Sequence, residues 1–512
     1  MCGIAGIWGT EDVPLVKKMM SLVKHRGPDA DGMFVSKKGP GILGHRRLSI
    51  MDPEGGNQPI YNESKNIAVI ANGEIYNFPH LHPELSKQHK FYTTSDSEAI
   101  VHLYEDHGVS MVEHLDGMYA FVVADEGNFY AARDPIGIKP LYLGEKDGAW
   151  LFASELKSFP SNCDTVKEFP PGAYFHSAQG FSTFYTVPEV LSRQAPTEDY
   201  IKKIRETLEN AVVKRLMSDV PLGAFLSGGL DSSLIAALAR KHMDRLHTFS
   251  VGIEGSRDLE AARLVSRHLD TIHHEYILTE KEVREKLPEI IYYLESFDQD
   301  LVRSAIPCYF TSRLAADYVK VILTGEGADE LFGGYTYYKD IGDAEFLHRE
   351  LRRSVASLHN INLQRVDRMT MAHAIEGRVP FLDLAMIRLG QLIPTEMKIS
   401  GSPPIEKWIL RKAFEDLLPE KIIWRIKEQF DEGSGTVDML NGVLAGVMGK
   451  NEMENYRRRF SETPLRSEEE CHYHRILMDV FENPEVVFLN TGRWSHRPFP
   501  TERPKDVKEI TC

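Results

Sequence analysis

Nowhere in this sequence do about 18 apolar residues run together, the length that a helix needs to cross a bilayer, so no transmembrane helix is expected. The N-terminus also lacks the charged-then-apolar pattern of a secretory signal. Basic residues are outnumbered, 60 Lys and Arg against 75 Asp and Glu, and the net charge of −15 disfavours nucleic acid or an anionic membrane as a partner. Cysteine is scarce: Cys2, Cys163, Cys308, Cys471 and Cys512 form an odd, scattered set without CxxC spacing, which points to reduced thiols and a cytoplasmic protein. Two phosphate-binding signatures are missing as well, the Gly-Lys-Ser/Thr of a Walker A loop and the GxGxxG of a dinucleotide turn.

What is present suits an enzyme acting on small molecules: 42% hydrophobic and 26% charged residues over 512 positions, a length that calls for two or three domains. One stretch stands out. Leu226, Ser227, Gly228, Gly229, Asp231, Ser232 and Ser233 follow an apolar run of strand length and open a Leu- and Ala-rich helix that runs to His242. Adjacent glycines let the backbone approach an anion, the serine hydroxyls donate to it, and the helix N-terminus adds unpaired N–H groups. Asp231 would repel a polyphosphate unless a cation bridged the two, and Mg²⁺, which prefers hard oxygens, fits that role. The string resembles the pyrophosphate-binding loop of ATP pyrophosphatases of the asparagine synthetase and GMP synthetase type. That resemblance implies ATP as a substrate and an adenylated carboxylate or carbonyl.

At the other end of the chain, Cys2 lies where loss of Met1 would expose it beside a free α-amine. An amine of pKa about 8 can act as base for a thiol of about 8.5. Polar islands follow at His25–Asp29, Gly44–Ile50, Ala71–Asn77 and Thr94–Glu98, each at the end of an apolar stretch. With Cys2 they resemble the class II glutamine amidotransferase domain, an N-terminal nucleophile hydrolase, as far as about Phe184. The resemblance implies Cys2 as nucleophile, with Asn72 and the Gly73 N–H as oxyanion donors. It also implies a glutamine subsite of Arg47, Leu48, Ser49, Ile50, Met51, Asn72, Gly73, Glu74 and Asp96. There Arg47 would fork onto the substrate carboxylate, and Glu74 and Asp96 would take its ammonium group. Strand patterns at 117–124, 128–133 and 150–154 agree with the family's α+β, four-layer αββα sandwich, expected over residues 1–190. The loop Arg133–Tyr142 is expected to contact the other domain.

Beyond a polar hinge at Ser192–Pro196, strand and helix patterns alternate, which argues for an α/β domain with a mostly parallel sheet over 197–435. Ligands of such sheets bind beyond the strand C-termini. The Ser227 loop, Val251 and the segment Thr324-Gly325-Glu326-Gly327-Ala328-Asp329-Glu330 all fall there. This segment resembles the Ser-Gly-Glu-Gly-Ser-Asp-Glu motif of asparagine synthetases, departing at Thr324 and Ala328. It implies Thr324 and Gly325 at the nucleotide, Asp329 as a Mg²⁺ ligand opposite Asp231, and Glu326 as the base for the attacking nitrogen. Arg378 and Lys427 sit in further matching stretches, and Lys427 would neutralise phosphate charge.

Over residues 1–435 the chain thus resembles the asparagine synthetase B family. The implied reaction is ATP-dependent amidation of aspartate through β-aspartyl-AMP, using ammonia released from glutamine. A different carboxylate acceptor is the alternative, and a catalytically silent storage relative a weaker one. Asp300-Leu301 replaces a Thr-Thr pair of the family, so Asp300 is expected to meet the substrate ammonium or solvent, and Arg303 an anion or pyrophosphate. A homodimer is the oligomer considered. Residues 436–512 read as a helical extension and tail, with Cys471-His472-Tyr473-His474 on a helix surface and 490–512 loose.

Overall fold

The computed structural model describes residues 2–125, 127–428, 430–444 and 447–493. Its first 190 residues build two antiparallel six-stranded sheets. In one, Thr165–Glu168, Tyr142–Lys146, Ala149–Ala153, Cys2–Trp8, Gly41–Arg47 and Ala30–Val35 lie side by side in that order. In the other the order is Gly180–Thr183, Ala173–His176, Asn128–Arg133, Gly117–Asp125, Ile67–Ile75 and Ile60–Tyr61.

Strand alternation explains the layering. Ile4, Trp8, Ala120 and Val122 point between the sheets, where Phe129 and Phe152 fill the gap. Their neighbours Ala5 and Ile7 instead meet Val16 and Met19 of helix Val13–Leu22, while Tyr119, Phe121 and Val123 meet Ala99, Ile100 and Leu103 of helix Glu98–His107. The result is the expected αββα stack.

After helix Thr197–Lys214 comes a five-stranded sheet, parallel throughout, in the order Ile272–Ile277, His247–Gly252, Leu222–Phe225, Val321–Leu323, Glu376–Arg378. Both of its faces are apolar: Leu222, Ala224, Val321 and Leu323 pack to one side, Phe249 and Ile322 to the other. The chain moves from Leu222–Phe225 outward to one edge, then returns to build the opposite half from Val321–Leu323. The loops after those two central strands therefore flank a topological switch point, where sheets of this kind leave a crevice.

The two halves share buried charge. Arg26 is fully buried; its guanidinium donates to Asp367 at 2.8 and 3.1 Å, to Glu155 at 2.7 Å and to the Cys2 carbonyl at 3.1 Å. Arg368, next in helix Asn362–Met371, pairs with Glu295 at 2.9 Å and Glu155 at 3.1 Å. Lys139, in the loop expected to contact the other half, reaches the Gly377 carbonyl at 3.3 Å.

Two expectations about the C-terminal part need correcting. Cys471, Tyr473 and His474 are buried on helix Glu468–Val480, not on its surface, because that helix packs in the same core as Leu287, Ile290 and Leu294. Nor is Asn490 loose: it accepts the Glu168 N–H at 2.9 Å and donates to the Val166 carbonyl at 3.1 Å. Residues 494–512 of the expected tail lie outside the described residues.

Removing one partner of a buried ion pair strands the other in low dielectric, at a cost of roughly 3–5 kcal/mol. Asp367→Ala should accordingly lower unfolding stability by about 3 kcal/mol, read from the urea midpoint. A midpoint equal to that of the unaltered chain would show that the network contributes little.

Candidate active sites

Cys2 begins the central strand of the first sheet, paired in register with Arg47, and is 7% exposed. Burial pushes its thiol pKa up. The backbone N–H of Cys2 donates to Asn72 Oδ1 at 2.9 Å, which commits the oxygen of that amide. Asn72 Nδ2 is left buried without a hydrogen-bond partner. A buried donor in that state costs roughly 1–3 kcal/mol, so it is a ready receptor for negative charge. Gly73 and Glu74 follow Asn72 in strand Ile67–Ile75 of the facing sheet.

Arg47 does not present a free fork. Its two terminal nitrogens donate to the carbonyls of Met51, Asp52 and Pro53 and to Asn57 Oδ1, at 2.5–3.1 Å. The guanidinium thereby shapes the loop after Leu48, Ser49 and Ile50, and a direct grip on substrate would require exchanging some of these bonds.

Around Glu74 negative charge is in excess. Glu74 is buried, with Oε1 3.5 Å from Arg378 Nη2 and Oε2 unpartnered. Arg378 Nε is already 2.6 Å from Glu376 Oε1. Burial, then the carboxylates of Glu376 and Asp96, raise the Glu74 pKa well above normal. Asp96 Oδ2 accepts the Ile75 N–H at 2.5 Å, and burial lifts its pKa to about 6. Despite its burial, Glu376 is held low by Arg378 and Lys139, whereas Glu74 and Asp96 are both raised by burial and neighbouring carboxylate, a setting that an incoming cation would relieve. Sequence reading placed Glu376 and Arg378 in one matching stretch without giving Glu376 a role; both come from the edge strand of the other half, a proximity that only the fold supplies.

The second site is a cavity at the switch point. Each residue expected at the nucleotide lines it except Gly228 and Ser233, and Glu326 and Asp329 line it too. Gly228 has φ of 73° and packs its Cα onto Ala261 and Ala262, so it serves the turn and the helix contact instead of the cavity wall. Ser233 is fully buried inside helix Leu230–His242. Gly325 brings the two loops together, since a Cβ there would sit 2.9 Å from Asp231 Cβ. Within the Ser227 loop, Ser227 and Ser232 share a hydrogen bond of 3.1 Å between their hydroxyls.

Between the expected metal ligands stands a lysine that sequence reading missed. Lys407 Nζ lies 2.5 Å from Asp231 Oδ2 and 2.6 Å from Asp329 Oδ1, and its side chain is 1% exposed. Its backbone has φ of 54°, an unfavourable region for a lysine that the surrounding contacts enforce. Lys427 adds a second contact to Asp329 at 2.9 Å. Burial alone would raise the Asp329 pKa, but the two ammonium groups hold it below the ordinary carboxylate range. Arg365, also missed, donates to Glu326 Oε1 from helix Asn362–Met371. No local pattern marks either residue, since each sits inside a helix or turn of mixed polar composition.

Asp300 and Arg303 do not reach this cavity. Arg303 is held by both carboxylate oxygens of Glu469, at 2.6–3.0 Å, and Asp300 Oδ2 pairs with Arg466 at 2.9 Å. The helix Glu468–Val480 and the turn before it carry opposite charges onto the start of helix Gln299–Ala315 and consume both groups.

Comparison with known proteins gives the same two-part division. A glutamine amidotransferase domain family matches residues 1–193, and an asparagine synthase family matches residues 203–345 and 339–485. An asparagine synthetase [glutamine-hydrolyzing] 2 of Arabidopsis thaliana is 40% identical over 510 residues, covering 94% of this chain and 87% of its own length. The corresponding enzyme of Triphysaria versicolor is 42% identical over 462 residues, 85% of this chain and 78% of its own. A probable asparagine synthetase [glutamine-hydrolyzing] of Dictyostelium discoideum is 40% identical over 537 residues and covers 96% of both chains.

Lys407→Met should weaken binding of a nucleoside triphosphate by roughly tenfold or more, the scale of one lost charge-assisted contact. Calorimetric titration measures it, with circular dichroism to check the fold; unchanged affinity would mean that Lys407 serves the apo structure alone.

Proposed function

The chain belongs to the glutamine-hydrolysing asparagine synthetases, and from that premise we propose how its residues divide the work. The reaction is ATP-dependent transfer of the glutamine amide nitrogen to aspartate, yielding asparagine and glutamate. One observation carries the assignment of roles: one fold holds both a thiol beside an unpaired amide donor and a carboxylate–lysine cradle at a sheet switch point.

In the amidotransferase half, residues 1–190, Cys2 attacks the side-chain carbonyl of glutamine. Asn72 Nδ2 and the Gly73 N–H receive the oxyanion. Collapse expels ammonia and leaves a thioester on Cys2, which water opens to glutamate. Removal of Met1, which lies outside the described residues, would supply the α-amine as base for the thiol. Glu74 and Asp96 take the substrate ammonium, supported by the excess of buried carboxylate there. Leu48 to Met51, shaped by Arg47, bound the substrate chain.

In the synthetase half, residues 197–435, the Ser227 loop, Val251, Thr324 and Gly325 receive ATP, and Lys407 and Lys427 face its phosphates. The β-carboxylate of aspartate attacks the α-phosphorus and pyrophosphate leaves, giving β-aspartyl-AMP. Ammonia then attacks the acyl carbon, Glu326 takes the surplus proton, and AMP departs. The residues fit Mg²⁺: Asp231 Oδ1 is buried and unpartnered, an oxygen ligand in a site already held by lysines on its other side. Asp231 and Asp329 would hold the ion, which would neutralise polyphosphate charge. The charge at Asp300, which had spoken for another acceptor, is accounted for by Arg466.

A cytoplasmic setting is supported by the unpaired cysteines, and among the described residues no helix is long and apolar enough to cross a membrane. A homodimer rests on the family resemblance alone.

Cys2→Ala should cut glutamine-dependent asparagine formation by about 10⁴-fold or more, the scale for a lost nucleophile, and leave synthesis from added ammonia in place. Loss of both activities would contradict the division. A pH profile tests the ammonium subsite. Burial raises Asp96 to about 6, so below that pH the group is protonated and its attraction for the ammonium is lost. The KM for glutamine should then climb about tenfold per pH unit, while the KM for ammonia, corrected for ionisation, stays level. A flat glutamine KM down to pH 5 would remove Asp96 from the subsite.

A further inference from the structure

Away from both sites, helix Glu98–His107 carries His102 and Glu105, three residues apart and so on one face. His89 approaches from the loop before it, and Glu63 from the turn between strands Ile60–Tyr61 and Ile67–Ile75. One nitrogen or oxygen from each of the four lies within 4.8 Å of the others. His102 Nδ1 is 3.2 Å from Glu105 Oε2 and 3.9 Å from Glu63 Oε2. His89 Nδ1 is 3.6 Å from Glu63 Oε1 and 3.6 Å from Glu105 Oε2. A tetrahedral ion with bonds of about 2.0–2.1 Å has ligand–ligand edges of about 3.3–3.4 Å, so the four side chains need to draw together by no more than about 1.5 Å to reach that arrangement.

A second, independent observation concerns the far side of each imidazole. His89 Nε2 bonds Asp106 Oδ1 at 3.0 Å. His102 Nε2 lies 3.6 Å from Glu98 Oε1, and the buried Glu98 carboxylate is fixed by the N–H groups of Tyr92 and Thr93. The carboxylate bonded behind His89 is the kind of support that orients an imidazole metal ligand, and Glu98 stands in the corresponding place behind His102, within ion-pair range. The carboxylates facing the centre are anchored in turn, Glu105 Oε1 by Asn62 Nδ2 at 2.8 Å and Glu63 Oε1 by the Lys90 N–H at 2.7 Å.

Charge points the same way. Among the described residues no Lys or Arg side chain pairs with Glu63, Glu98, Glu105 or Asp106; their only ion-pair partners are the two histidines. Those rings stack with centroids 4.6 Å apart, so protonating both would set two like charges face to face. One divalent ion balances the two carboxylates that face the centre, Glu63 and Glu105, without that repulsion.

We propose that Glu63, His89, His102 and Glu105 bind a divalent transition-metal ion, Zn²⁺ by its ligand set. All four positions of a tetrahedron come from protein, so the site is structural in kind. It clamps the loop that runs from His89 to Asp96 onto helix Glu98–His107. Resting on the reading of Asp96 above, the ion would hold the ammonium subsite in place.

The test uses the full chain, stripped with a chelator, given Zn²⁺ and desalted. Elemental analysis should find one equivalent retained, with a rise in melting temperature over the stripped protein. The double variant Glu63→Gln/His89→Ala should lose both effects while melting cooperatively near the stripped chain, and Asp231→Asn/Asp329→Asn should keep both. Co²⁺ in place of Zn²⁺ should give the visible bands of tetrahedral coordination, absent in the double variant. No retained zinc, or equal retention in the double variant, overturns the proposal. Metal content is read without any assay of asparagine formation, so this outcome is separate from the fate of the functional assignment.

Discussion

An ionised side chain inside a protein must meet an opposite charge at contact distance, or the fold loses several kcal/mol for each one left alone. This chain buries an unusual number of them. Arg26, Arg368, Arg378, Glu155, Glu295, Asp367 and Glu376 are all less than 4% exposed, and their pairings cross from the sandwich to the parallel-sheet half. The relative placement of the halves follows from these contacts. So does the setting of Cys2, whose carbonyl accepts from the same guanidinium that grips Asp367.

The two sites solve the matching of charge differently. Beside Cys2, Glu74 and Asp96 are buried with little positive charge of their own, which favours a ligand that carries an ammonium group. At the switch point the count is level: Asp231, Asp329 and Glu326 against Lys407, Lys427 and Arg365. A polyphosphate entering a level site tips it negative, which suits a ligand that arrives with its own cation. An amino acid and a metal–nucleotide complex are thus separated by electrostatics before shape is considered.

Much of this was legible in the residue order. Apolar runs bounded by a turn marked strands of the sandwich, and the Ser227 and Thr324 loops could be set at one edge of a parallel sheet because strand and helix patterns alternate. Residues that act through tertiary proximity were not legible. Lys407 is one lysine among many until the fold sets it between Asp231 and Asp329, and Glu376 borders Glu74 only because an edge strand of one half abuts the other. The reading of Asp300 and Arg303 failed for the opposite reason: Arg466 and Glu469, more than 160 positions away, neutralise them. His89 and His102 gave no signal either, being 13 residues apart with Glu63 farther back, outside any short spacing rule for metal ligands.

Helix Asn362–Met371 presents Arg365 to Glu326 and, two positions on, Asp367 to Arg26. The same short rod is wall to one reaction chamber and foundation to the other. It makes the halves poor modules in the evolutionary sense. A recombination event that joined this synthetase half to an unrelated ammonia source would inherit a helix whose Asp367 has lost Arg26 and whose Arg368 has lost Glu155. Swapping the donor domain therefore demands compensating changes in the acceptor domain, and the fused pair is expected to be inherited and diverge as a unit.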